Sequence, residues 1–201
     1  MSESGVRVDP SVNPACDVSV VVPFTDDEER IGALLAKVAA HLRALGLRFE
    51  ILAVDEDCRD NTLPLVQYLS TRLPELRVLL AEHGLGFATG AAFARGQVVW
   101  LLDPEAPSPC LPFRRAHERL VAGLTDVVAI RGRFLACRRS RAWKLLAEVR
   151  GRGESYQRRL LRRAGARRLH VTEWIGGEPP PMRRFWQALL APLARMKLAT
   201  K

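Results

Sequence analysis

The chain has 201 residues, of which 48% are hydrophobic and 26% charged, with a net charge of +9. This composition predicts one soluble globular domain with a real core. It contains no apolar run near the ~18 residues of a membrane span, and its polar N-terminus lacks the apolar stretch of a signal peptide.

Cys16, Cys58, Cys110 and Cys137 are scattered, with no C-x-x-C pair. They speak for a reducing compartment and against a zinc site or a disulfide framework. The charge is unevenly spread. Residues 1–110 carry 9 Lys/Arg against 16 Asp/Glu, and residues 111–201 carry 22 against 6. The acidic half suits a metal. The basic half suits phosphates, a membrane surface or nucleic acid, and no nucleic-acid recognition motif accompanies it.

Residues 1–16, with Pro10 and Pro14, read as a loose tail. The β-branched run 18–22 is the first strand, and Pro23 is expected to end it. Thr25 with Glu28 three residues on fits a capping box. Ile31, Leu34, Leu35, Val38, Leu42 and Leu45 then fall at helical spacing up to Gly46. Residues 49–54 are a second strand running into an acidic loop, 55–62. A helix to about Leu73 and a third strand over 76–81 follow. The turn at Gly84 and Gly86 opens a short helix to Arg95.

Residues 98–102 are five apolar residues in a row, the pattern of a strand buried on both faces. They stop at Asp103-Pro104-Glu105. Two carboxylates two residues apart, at the carboxyl end of such a strand, can hold a divalent cation and through it a phosphate. The same pair also occurs as a solvated turn. Beyond a proline-rich loop come a helix to about Gly123, a strand over 126–130, a short strand over 133–137 and a helix containing Leu145 and Leu146. Residues 150–168 are dense in arginine around Leu160 and Leu161, and 169–174 read as a last strand. Gly176 to Pro181 form a linker. Met182, Phe185, Trp186, Leu189, Leu190, Leu193 and Met196 line one face of a basic amphipathic helix.

Strand–helix alternation with short connections predicts a three-layer α/β/α domain over 17–175, with a mostly parallel sheet. The acids at 26–27, 55–60 and 103–105 then fall along one sheet edge, where they cap helices or hold a cation.

The order of these motifs resembles the family 2 glycosyltransferases of GT-A (Rossmann-like) fold, and most closely their polyprenyl-phosphate (dolichol-phosphate) mannosyl- or glucosyltransferase branch. Val18 to Pro23 match that family's first strand. Val54-Asp55-Glu56-Asp57-Cys58-Arg59-Asp60-Asn61-Thr62 stands in register with V-D-D-G-S-x-D-x-T. His83-Gly84-Leu85-Gly86 answers R-N-x-G-x-G in part, and Asp103-Pro104-Glu105 answers Asp-x-Asp. Phe134 to Arg139 are similar to a later G-F-x-x-x-x-R-R strand.

The resemblance implies a transferase that moves a sugar from a nucleotide diphosphate sugar to an acceptor such as a polyprenyl phosphate. Pro23, Asp27, Asp55, Glu56, Gly84 and Asp103 would contact the nucleotide sugar, and Asp103 and Glu105 would hold Mg²⁺ or Mn²⁺. Arg138 and Arg139 would face the acceptor phosphate or the membrane, and residues 176–201 would lie in the membrane interface on the cytoplasmic side. No nucleic-acid partner is expected. The chain departs from the pattern at Thr25-Asp26-Asp27 for Tyr-Asn-Glu, at Glu56 for Asp, at Glu82-His83 for Arg-Asn and at Gln97 for Asp. It is also short between Asp103 and Phe134. A non-catalytic descendant of the fold, kept as a binding or partner subunit, is therefore the second reading.

Overall fold

A computed structural model describes residues 15–104, 113–130, 134–151 and 153–174. The elements in chain order are β1 (Cys16–Phe24), α1 (Ile31–Ala44), β2 (Phe49–Asp55), α2 (Thr62–Ser70), β3 (Leu76–Leu80), α3 (Gly86–Phe93), β4 (Gly96–Leu101), α4 (Phe113–Val121), β5 (Val127–Ile130), β6 (Phe134–Arg138), α5 (Arg139–Glu148), α6 (Gly153–Ala166) and β7 (Val171–Trp174). The basic helix expected over 176–201 lies outside the described residues. No helix among the described residues is long and apolar enough to cross a membrane.

The strands form one sheet in the order β3-β2-β1-β4-β6-β5-β7. Neighbours pair parallel except where β6 meets β4 and β5. The antiparallel exception has a simple cause. Only residues 131–133 separate β5 from β6, too few for the crossover that a parallel pair needs. Every strand but β6 therefore ends on the same edge of the sheet.

Pleat alternation divides the core into two layers. Val18, Val20 and Val22 of β1 pack with Ile51, Trp100, Ile31, Leu35 and Phe113 on the α1, α2 and α4 side. Val21, Val54, Val99 and Leu101 pack with Phe87, Leu145, Tyr156 and Leu160 on the α3, α5 and α6 side. Strands covered on both faces read as continuous apolar runs, which is the pattern of residues 98–102 and, apart from Ser19, of residues 18–22.

Two local expectations fail. β1 runs through Pro23 to Phe24. Pro23 pairs with Val54 of β2, while the paired residues toward β4 end at Val21 and Leu101. A residue without an N–H is tolerated in a strand where one side of the ladder has run out. The Thr25–Glu28 capping box does not form either. α1 starts at Ile31 with Arg30 as its N-cap and no side-chain cap, and the Asp27 carbonyl accepts the N–H groups of Arg30 (3.2 Å) and Ile31 (3.0 Å) instead.

The amino edge is held by a closed polar network. The Ser19 hydroxyl donates to Glu50 Oε1 (2.6 Å), which also accepts the Arg95 N–H (2.7 Å), while Glu50 Oε2 takes Arg77 Nη1 (2.7 Å). Ser19 Oγ accepts the Gly96 N–H at 2.7 Å. A buried carboxylate satisfied on both oxygens stabilises its surroundings, whereas an unsatisfied one would cost several kcal/mol.

His41 and His117 flank Phe113, with ring centroids 6.5 and 5.7 Å away. Burial pushes both imidazoles below their ordinary value of 6.5, and the Asp17 and Glu118 carboxylates pull His117 only partly back. The folded state therefore binds these protons less readily than the unfolded chain. The stability from the neutral rings is fully present above pH 6.5 and is lost as the pH falls below it. Thermal unfolding followed from about pH 7.5 to about pH 5.5 will show a falling midpoint, and a His41→Leu/His117→Leu variant will flatten that slope.

Candidate functional site

The carboxyl edge collects most of the residues singled out from the sequence. Pro23 lies at the end of β1, Asp55 closes β2 with Glu56 next, Gly84 follows β3, and Asp103 lies two residues beyond β4. Asp27 stands in the loop after β1. Glu105 lies outside the described residues.

Pairing fixes the spread. Phe24 of β1 sits opposite Asp55 of β2, and Leu102 N–H donates to the Val21 carbonyl at 2.9 Å just before Asp103. With β1 between them, the backbones at Asp55 and Asp103 lie about two strand spacings apart, ~10 Å. That separation suits two ends of one extended ligand better than two ligands of a single ion.

Each acid has its own surroundings. Asp55 is 7% exposed, and its Oδ1 accepts the Cys58 N–H at 3.1 Å, which closes the turn after β2. Asp57 in that turn takes a left-handed φ of 67°. Glu56 is 1% exposed and points to the other face, where its Oε1 accepts the Gly86 N–H at 2.5 Å. Gly86 is the first residue of α3, so Glu56 places a carboxylate on the positive end of that helix. A Cβ at Gly86 would collide with the Glu56 carboxylate and the Pro23 ring. Pro23, Glu56 and Gly86 are thus packed into one contact. The sequence alone does not show how closely the start of α3 approaches the sheet at Gly86.

Asp26, Asp27 and Asp60 stitch the first two loops together. Asp26 Oδ1 accepts the N–H groups of Arg59 (2.7 Å) and Asp60 (3.3 Å), and Asp60 Oδ1 accepts that of Thr62 (2.9 Å) at the start of α2. Asp27 N–H donates to Thr62 Oγ1 (2.8 Å), and its carboxylate pairs with Arg30 at 2.7 Å. Asp26, Cys58 and Asp60 bring one donor atom each within 4.8 Å of one another. Burial, the hydrogen bond to Asp55 and the neighbouring acids all push the Cys58 thiol up, so it stays protonated at neutral pH. Protonated thiols and carboxylates already engaged by N–H groups make a turn clamp, not a Mg²⁺ or Mn²⁺ site. Asp103, half-buried at the end of the central strand, offers hard oxygens of the kind those ions take and fits such a role.

Gly84 has a φ of 78°, which glycine adopts without strain. Its carbonyl accepts the Gly151 N–H at 2.7 Å, which ties the loop after β3 to the connection between α5 and α6.

Arg138 and Arg139 are not brought to this edge. β6 runs antiparallel, so Arg138 pairs with Val98 near the start of β4, at the opposite end of the sheet from Leu101. Its guanidinium forms an ion pair with Asp126. Asp126 Oδ2 also accepts the His170 N–H at 3.0 Å, so this carboxylate joins the ends of β5, β6 and β7. Burial pushes the Asp126 carboxyl up, but the Arg138 and His170 hydrogen bonds and the Arg138 and Arg141 charges outweigh it and hold it below the usual range. Arg139 is buried at the start of α5. The reversal of β6 carries the 134–139 motif away from the acids.

A three-layer sheet of this order, with an acidic carboxyl edge, defines the GT-A class of fold. The mannosyltransferase PcManGT from Pyrobaculum calidifontis, solved with GDP-Man and Mn²⁺, superposes with a TM-score of 0.58 at 17% identity, over 96% of this chain and 67% of that one. S. aureus TarS 1-349, solved with UDP-GlcNAc, gives a TM-score of 0.59 at 17% identity, over 83% and 60%. Residues 19–106 match the model of glycosyl transferase family 2. The undecaprenyl-phosphate 4-deoxy-4-formamido-L-arabinose transferase of Pseudomonas paraeruginosa (strain DSM 24068 / PA7) is 34% identical over 132 residues, 63% of this chain and 38% of its own length. The namesake in Pseudomonas fluorescens (strain SBW25) is 29% identical over 119 residues, 57% of this chain and 35% of its own. The chain thus spans well under half the length of these curated relatives.

Proposed function

We propose that the chain is a nucleotide-sugar-dependent glycosyltransferase, moving a sugar from a nucleotide diphosphate sugar to a polyprenyl phosphate at the cytoplasmic face of a membrane. One observation carries the reading. Pro23, Asp27, Asp55, Glu56, Gly84 and Asp103 fall on a single edge of a family 2 sheet. The undecaprenyl-phosphate transferases among its relatives support a lipid-phosphate acceptor.

In this reading Asp55 meets the base or ribose. Its carboxylate is held in place by the Cys58 N–H, and the turn it closes bounds the nucleoside end of the cleft. Glu56 serves the site by fixing the start of α3 through Gly86, and Gly84 shapes the loop beside it. Asp103, with Glu105, holds Mg²⁺ or Mn²⁺, and when bound that ion neutralises the leaving diphosphate. Asp103 carries the negative charge that would attract it, on a backbone anchored by the buried Leu102.

Isothermal titration with UDP-, GDP- and TDP-sugars in the presence of Mn²⁺ tests the proposal. Saturable heat with one of them is the expected result. No heat with any of the three overturns the enzyme reading in favour of a non-catalytic partner subunit.

A further inference from the structure

We propose that the outer face of α6 is a docking surface for an anionic lipid bilayer. Tyr156, Gln157, Leu160 and Ala164 turn inward and are buried, at the spacing of one helix face. Arg158, Arg159, Arg162, Arg163, Arg167 and Arg168 are exposed. Against those six arginines, residues 153–168 contain one acid, Glu154.

Five of these arginines sit in two rows. Arg159 donates to the Arg150 carbonyl (2.7 Å), Arg163 to the Glu148 carbonyl (3.0 Å), and Arg167 pairs with the Glu148 carboxylate (2.5 Å). That row is tied back to the end of α5. Arg158 and Arg162, one turn apart, form the second row. Like charges at i and i+4 destabilise a helix, and α6 repeats that spacing at 158/162 and 159/163. An external layer of anions would relieve this repulsion.

The chemistry favours a headgroup plane. Among the described residues of α6, the exposed positions that are not arginine are Gly165 and Ala166, which give no aromatic platform on which bases could stack. The face offers rows of point charges along a helix of ~21 Å, and its partly buried Leu161 packs on the core. Binding by such a face is electrostatic and depends on anionic lipid and on salt.

The fold aims this face. The α6 start lies at the carboxyl edge, where Gly151 N–H meets the Gly84 carbonyl. Its end lies at the amino edge, where the His170 carbonyl accepts the Asp126 N–H at 2.8 Å. A bilayer against α6 would lie alongside the strands, with the candidate cleft opening at the membrane surface. This orientation rests on the lipid-acceptor reading above; the binding itself does not.

The test is co-sedimentation of the full chain with vesicles of phosphatidylcholine alone and of equimolar phosphatidylcholine and phosphatidylglycerol, with no nucleotide present. Binding to the mixed vesicles alone is expected, and Arg158→Gln/Arg162→Gln should weaken it roughly 25-fold, at about fivefold per arginine. Arg72→Gln/Arg114→Gln removes the same charge elsewhere and should weaken it far less. Equal loss in both variants, no loss in the first, equal binding to neutral vesicles, or tighter binding to duplex DNA or RNA at the same salt would overturn the proposal. Because the assay needs no sugar transfer, its failure is separable from failure of the glycosyltransferase reading.

Discussion

Asp103→Asn abolishes Mn²⁺-supported nucleotide-sugar binding while leaving the protein folded. The substitution keeps the side chain's size and removes its charge. Its backbone position is set by neighbours that do not change: Leu102 is fully buried, and its N–H is bonded to the Val21 carbonyl. Asn keeps the volume and one carbonyl oxygen of Asp, so the cost in stability should stay at about 1 kcal/mol, the usual size for a single substitution. A carboxylate that holds a divalent ion against a diphosphate is worth several kcal/mol, so affinity for the nucleotide sugar in the presence of Mn²⁺ should fall on the order of 100-fold or more. Titration calorimetry reads that loss, and a thermal midpoint close to the parent's shows that folding is intact. Asp60→Asn is the contrasting case. Its oxygen accepts the Thr62 N–H at the start of α2, a bond an amide oxygen can also accept, so binding should persist. If Asp103→Asn binds like the parent, the ion does not sit at the end of β4.

The difference between those two acids could not be read from spacing alone. Both follow a buried strand in an α/β alternation, and both were legible as members of one acidic edge. What marks Asp60 as part of a loop clamp is where the backbone N–H groups point once the loops close. Asp26 and Asp60 meet the N–H groups of Arg59, Asp60 and Thr62 across two loops that lie far apart in sequence. The layer architecture was far more legible, because a strand such as 98–102 is apolar on both faces and helix α1 shows a clean i, i+3, i+4 pattern. α6 was obscured for the opposite reason. Its buried face is built from Tyr156, Gln157, Leu160 and Ala164, in which a polar and a small residue dilute the apolar signal among arginines. Likewise Arg138 matched its motif in sequence, yet its position depends on the direction of β6. That direction follows from the shortness of the 131–133 connection and not from any residue in the strand.

Gly86→Ala is expected to destabilise the fold and to disable the candidate site together. The added methyl has no room, because it meets the Glu56 carboxylate and the Pro23 ring. Glu56 could swing away, but its Oε1 accepts the Gly86 N–H at 2.5 Å and its side chain is 1% exposed. Moving it gives up a charge-assisted hydrogen bond of about 1.5–3 kcal/mol at the start of α3. Pro23 cannot move at all without shifting β1, which is paired to β2 through Pro23 and Val54. Overpacking of that kind costs about 1–3 kcal/mol. The two costs share a cause, so they overlap, and a total of about 3–4 kcal/mol is a large part of the 5–15 kcal/mol that holds a domain together. Denaturant unfolding of Gly86→Ala measures it directly. Glu56→Gln separates the contributions: the amide can still accept the Gly86 N–H, but it loses the charge on the helix start, worth about 0.3–1 kcal/mol. A Gly86→Ala protein as stable as the parent would mean that α3 can retreat from β1. The contact of Pro23, Glu56 and Gly86 would then not be what fixes the wall of the cleft.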